Sequence, residues 1–81
     1  MIITTADVKR KIAVSWQFKK FVDSSVARHI NHDWGDTPDE DKALNEQYPE
    51  SAMSTYKYGE KTEIWVKSEN GDIIVLFPSE Y

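Results

Sequence analysis

The sequence reads as an α+β domain: N-terminal helices, with or without a short leading strand, packed on a C-terminal three-stranded antiparallel β-meander. Three observations carry this reading. Phe18, Val22, Val26 and Ile30 recur at helical spacing, β-rich runs follow Ala52, and two glycine-bearing reversals, Gly59-Glu60 and Asn70-Gly71, divide those runs. A chain of 81 residues allows a single domain, 1–81, with a core built by a few elements.

Met1-Ile2-Ile3 reads as a short strand or an extended lead-in, ended by Thr4-Thr5. Thr4 with Asp7 three residues later is a helix start, and Val8 and Ile12 fall four apart on one face. The stretch from Ile12 to Phe18 fits two patterns. Ile12, Val14, Trp16 and Phe18 alternate as in a strand, whereas Phe18, Phe21, Val22, Val26 and Ile30 form a helical stripe. The reading adopted is a helix to about residue 13, a break near Ser15 and a second helix over about 16–31. One long helix bent near Asp23-Ser24-Ser25 is the competitor.

Residues 27–46 form the hinge of the chain. Gly35 is expected to supply the sharp turn that ends the helical part, because glycine takes positive φ without steric cost. Thr37 is then positioned to cap a third helix, with Pro38 at its first position and Glu40 completing a capping box. Asp39, Glu40 and Asp41 put negative charge at the positive end of its dipole. Its apolar face is thin (Ala43, Leu44, Tyr48), which predicts a surface helix held by those contacts, and Pro49 stops it. Arg28 and His29 are expected to pair with Asp33 or Asp36 while Trp34 plugs the core. Arg28, His29, Trp34 and Gly35 are thus structural turn residues.

Ala52–Tyr58, Lys61–Lys67 and Asp72–Phe77 are the strand runs. Two-residue turns would pair Tyr58 with Lys61, Thr55 with Ile64, Met53 with Val66, Val66 with Val75, and Ile64 with Phe77. Met53, Thr55, Ile64, Val66, Ile73, Val75 and Phe77 would then face the helices. Tyr56, Tyr58, Trp65, Ile74 and Leu76 would lie on the opposite face. That face is too apolar for open solvent, so either the chain's N-terminal segment or an intermolecular contact should cover it.

The net charge of −4 is unevenly spread: +4 over residues 1–32, −6 over 33–50 and −2 over 51–81. The acidic segment holds Asp33, Asp36, Asp39, Glu40, Asp41, Glu46 and Glu50 against Lys42 alone. Such asymmetry describes either solvated faces or an acidic surface for a basic partner. With no cysteine there is no disulfide and no thiolate ligand or nucleophile, which fits a cytoplasmic setting. The longest apolar run, Ile73–Phe77, is too short to span a bilayer.

A further pattern is formed by Ala27-Arg28-His29, Asp33-Trp34-Gly35-Asp36, Glu40-Asp41, Asn45, Ile64-Trp65-Val66 and the closing Leu76-Phe77-Pro78-Ser79-Glu80-Tyr81. Together these resemble small proteins borne on bacterial plasmids, phages and integrated elements, often labelled plasmid-related. The resemblance covers residues 25–81. It departs at His32, where a small residue is usual, and at the tight Asn70-Gly71 turn. It implies a mobile-element setting and no mechanism.

Catalytic templates fit poorly. Three scattered glycines make no phosphate loop, and no nucleophile sits on a strand-to-helix turn. His29, His32, Asp33 and Asp36 carry the right atoms for a metal, but nothing in their spacing makes them converge, and the aspartates miss calcium-loop spacing. Lys9, Arg10, Lys11, Lys19, Lys20 and Arg28 near Trp16 and Phe18 suggest nucleic acid. A sequence pI of about 5.0 opposes direct binding. The expectation is therefore a non-enzymatic, acidic protein without metal or cofactor that works by protein–protein contact. In a mobile-element setting, the acidic segment suggests inhibition of a host nucleic-acid-handling defence enzyme, with carboxylates standing where phosphates would sit. The alternative is a homodimeric self-association module using Tyr56, Trp65 and Leu76.

Overall fold

The computed structural model describes residues 1–81. In chain order it contains β1 (Ile2–Thr4), α1 (Ala6–Val14), α2 (Trp16–Ile30), α3 (Asp39–Gln47), β2 (Met53–Tyr58), β3 (Thr62–Glu69) and β4 (Asp72–Leu76). Single 3-10 turns cover Pro49–Ser51 and Pro78–Glu80. The class is α+β, but the sheet has four strands, not three. Its order is β1-β4-β3-β2, with β1 parallel to β4 and the other neighbours antiparallel. The leading Ile2-Ile3 segment pairs with Ile73 and Ile74, and the helices in between form the long crossover that parallel pairing needs.

Ser15 separates the first two helices, as the sequence suggests. Its backbone is extended, its N–H closes α1 on the Ile12 C=O, and its Oγ accepts from Phe18 N–H at 3.2 Å to start α2. The strand-like alternation of residues 12–18 has no counterpart, since Val14 and Trp16 point into solvent while Phe18 is wholly buried. At the start of α1 the cap comes from the other end of the chain. The Glu80 carboxylate accepts from the Thr5 hydroxyl at 2.6 Å and from Asp7 N–H at 3.3 Å. Its Oε1 also accepts from Phe77 N–H, so one side chain ties the last turn to the first helix.

His32, not Gly35, ends α2. It takes the left-handed conformation (φ 61°), with His32 N–H on His29 C=O and Asp33 N–H on Arg28 C=O. This is the Schellman pattern, with histidine where glycine is commonest. Gly35 (φ 64°) has a different task. It bridges to Thr55, and a Cβ there would lie 2.3 Å from the Thr55 C=O and 2.6 Å from the Tyr56 ring. No Thr37 cap forms. Pro38 precedes α3, and Thr37 Oγ1 instead donates to Trp34 C=O and accepts from Thr55 N–H.

The two hairpins differ from each other. Asn70-Gly71 makes the expected two-residue turn, and Val66 faces Val75. The first reversal takes three residues, 59–61, so Tyr58 faces Thr62, Tyr56 faces Ile64 and Thr55 faces Trp65. That one-residue shift exchanges the faces of β2. Tyr56 and Tyr58 point toward the helices, and Met53 and Thr55 point away. The core is Val8, Phe18, Val22, Val26, Tyr56, Ile64, Val66 and Val75, with Phe21, Tyr58 and Phe77 packed around Phe18.

Candidate functional site

The acidic hinge is built against the β2 edge. Asn45, buried on α3, donates to the Met53 C=O at 2.9 Å and accepts from Met53 N–H at 3.2 Å. Two residues on, Thr55 N–H is taken by Thr37 Oγ1 and Thr55 C=O by Asp36 N–H. The outward backbone groups of Met53 and Thr55 are therefore all satisfied within the chain, as an additional strand would satisfy them. This corrects the expectation that apolar contacts hold α3. Ala43 is exposed, Leu44 and Tyr48 are about half exposed, and the attachment is polar.

Trp34 sits beneath this turn at 5% exposure. Its indole N–H donates to Glu46 at 2.8 Å, His32 stacks on it with centroids 4.9 Å apart, and His29 meets it edge-on. Arg28 makes a two-pronged bond to Asp33, at 2.8 and 3.1 Å, and lies over the Tyr56 ring. That guanidinium, with the Gly35 N–H, lowers the Asp33 pKa, and the Asp33 carboxylate raises that of Arg28. The expected pairing of Arg28 is present; that of His29 is not. His29 is buried, with Nδ1 2.6 Å from Ser54 Oγ and Nε2 2.7 Å from Ser68 Oγ. Burial lowers its pKa to about 4, with His32 adding a smaller push. A neutral ring suits the site, because one nitrogen donates and the other accepts. The serine–histidine contact has the atoms of a nucleophile–base pair, yet none of the surface cavities is lined by His29, Ser54 or Ser68. The arrangement is a clamp from helix to sheet.

Holding α3 at the sheet edge leaves a groove of about 590 Å³ between that helix, the Pro49–Ser51 turn and the outer sheet face. Its lining includes Pro38, Leu44, Tyr48, Met53 and Trp65 with Asp41, Asn45 and Thr55. All seven carboxylates singled out in the sequence are exposed, but they do not share one role. Asp33 is occupied by Arg28, and Glu46 by Trp34 and His32. Asp36, Asp39, Glu40, Asp41 and Glu50 have no hydrogen-bonded or ion-pair partner through their carboxylates, and of these Asp41 lines the groove.

The predicted apolar face survives only in part. Tyr56 is fully buried in the core, Tyr58 packs on Phe18 and Phe21, and Leu76 is only 5% exposed. Trp65 and Ile74 do lie on the outer face at intermediate exposure, with Tyr81 set edge-on against Trp65. The covering segment is thus the C-terminal turn, not the N-terminal one. A homodimer interface of Tyr56, Trp65 and Leu76 is excluded by the burial of its first and last members.

The basic N-terminal third is largely engaged within the chain. Arg10 pairs with Asp7, Lys19 with Asp23 and Arg28 with Asp33, while Lys20 lies over Trp16 and Lys11 over Phe18. No three His, Asp or Glu side chains converge as metal ligands, and no helix is long and apolar enough to cross a membrane. Comparison with known protein families, with curated proteins and with solved structures finds no match for this chain.

Proposed function

We propose that the protein acts by protein–protein contact, with the acidic α3 groove meeting a Lys/Arg-bearing surface. One observation carries this reading. Asp41 lines a groove that also exposes Trp65 of β3 with Leu44 and Tyr48, the last two left outward by the polar bonds that fasten α3, and the unpartnered Asp36, Asp39, Glu40 and Glu50 lie near it in the chain. Apolar anchors inside a charged rim are how contact surfaces combine affinity with steering. The reading extends to a nucleic-acid-handling defence enzyme as the target, because exposed carboxylates gathered on one segment can stand where phosphates would sit. The likeness to mobile-element proteins motivates that extension. Direct nucleic-acid binding has weaker support, since Lys9 alone among the N-terminal cations lacks an intramolecular partner.

Titration of isotope-labelled protein with a Lys/Arg-rich peptide, followed by amide NMR, tests the contact class. Saturable shifts at Asp36–Tyr48, Met53–Thr55 and Trp65, weakening as salt rises, are expected. Shifts confined to α1, or none at low salt, would overturn the proposal.

A further inference from the structure

The two edges of the sheet are treated differently. On β2 the outward groups of Met53 and Thr55 are closed by Asn45, Thr37 and Asp36. Lys57, next along that edge, is exposed and charged, which also discourages pairing. On β1, Met1 C=O and Thr5 N–H bond to β4. Parallel alternation therefore turns the N–H and C=O of Ile2 and Thr4 outward, and no side chain bonds to them. Neither proline nor a charged residue guards this strand. Ile2 is 57% and Ile3 39% exposed. Beside it runs an apolar groove of about 330 Å³ between β1 and the flank of α2, where Val22, Val26, Ala27 and Ile30 lie with Lys19 and Asp23.

We infer that a second copy of this chain occupies the β1 edge, joining two sheets into one eight-stranded sheet. An antiparallel pairing about Ile3 sets Ile2 opposite Thr4 of the other copy, and the reverse. Each such pair exchanges both of its backbone bonds, so every outward group of the strand is satisfied. The same two-fold axis runs the α2 flanks antiparallel. Lys19 and Asp23, joined at 2.8 Å within one helix, are then self-complementary across the axis. Ala27 allows close approach, and the half-exposed Ile30 gains cover. Charge distribution favours this edge for self-pairing. The segment of net charge −6 lies at the far β2 edge, three strand spacings away, roughly 14 Å by sheet geometry. Both acidic grooves stay open in the dimer. The assembly is therefore independent of the protein-contact reading above.

Sedimentation equilibrium of the full chain tests the inference, with circular dichroism to confirm folding. A dimer is expected. Thr4→Pro removes one outward N–H per copy while leaving the β1–β4 ladder intact, and should weaken association about thirtyfold. Ile2→Lys places like charges on the joined edge and should give monomer without touching the inner ladder. Asp23→Lys should also dissociate the dimer, and the swap Lys19→Asp with Asp23→Lys should restore it. A wild-type monomer at high micromolar concentration would overturn the inference. So would a dimer indifferent to Ile2→Lys, or one that the charge swap fails to rescue.

Discussion

Asn45 holds Met53 by both backbone groups, accepting its N–H and donating to its C=O, so a helix side chain stands where a neighbouring strand would pair. The acidic helix is consequently fixed to the sheet by a residue whose chemistry is neither apolar nor charged. Leu44 and Tyr48 remain on its outside because they are not needed for the attachment.

Replacing that amide should be costly. Asn45→Leu leaves Met53 N–H and C=O unpaired and is expected to destabilise the protein by about 2–3 kcal/mol. Chemical denaturation measures it. Amide exchange should accelerate first at Met53 and across α3.

The glycines separate space from backbone conformation. Gly35→Ala must accommodate both a positive φ and a Cβ pressed on Thr55 and Tyr56, for a loss of roughly 3 kcal/mol or more. Gly59→Ala has a similar φ but open surroundings, and should cost only about 1 kcal/mol. Thermal unfolding of the two variants gives the comparison directly.

His29 makes stability pH-dependent with a defined sign. Its folded pKa of about 4 lies below the ordinary 6.5, so between these values the unfolded chain binds more protons. Stability contributed by the neutral clamp is complete above 6.5 and falls as pH drops toward 4, by roughly 3 kcal/mol in all. His29→Gln should remove that component of the slope while lowering stability at neutral pH. Denaturant midpoints measured across this range report both effects.

Glu80 ties the last turn to the first helix. Glu80→Ala releases Thr5 and the Asp7 and Phe77 amides, and should destabilise by about 1–2 kcal/mol. Hydrogen exchange should locate the change in the first turn of α1, with the α2 amides unchanged.

Local signals predicted the helices well, and long-range ones less so. Ser15 as a break, the Asn70-Gly71 turn and the burial of Trp34 follow from capping, turn chemistry and side-chain size. At the first hairpin the glycine-first dipeptide Gly59-Glu60 suits a two-residue turn, while the loop takes Lys61 as well. One residue of slip moved Tyr56 and Tyr58 from the outer face to the core. It also hid Ser54, one of the two partners of His29. In the true register Ser54 and Ser68 are polar positions facing inward, the signal that a buried donor lies above them. The parallel pairing of β1 rests on residues more than seventy positions apart, and nothing in three apolar residues specifies it. Likewise, Glu80 as the distant cap of α1 and Asn45 as an edge seal have no local signature. The acidic segment was plain in composition, but its division into turn-holding Asp33 and Glu46 and unpartnered Asp36, Asp39, Glu40, Asp41 and Glu50 required geometry.

The contact role of the groove is tested most directly by capture from host lysate, comparing the wild type with Asp36→Lys/Asp39→Lys/Asp41→Lys at low and high salt. A basic protein retained at low salt, released at high salt and lost with the charge-reversed variant is the predicted result. Retention unchanged by the reversal, or no protein retained at low salt, would contradict it.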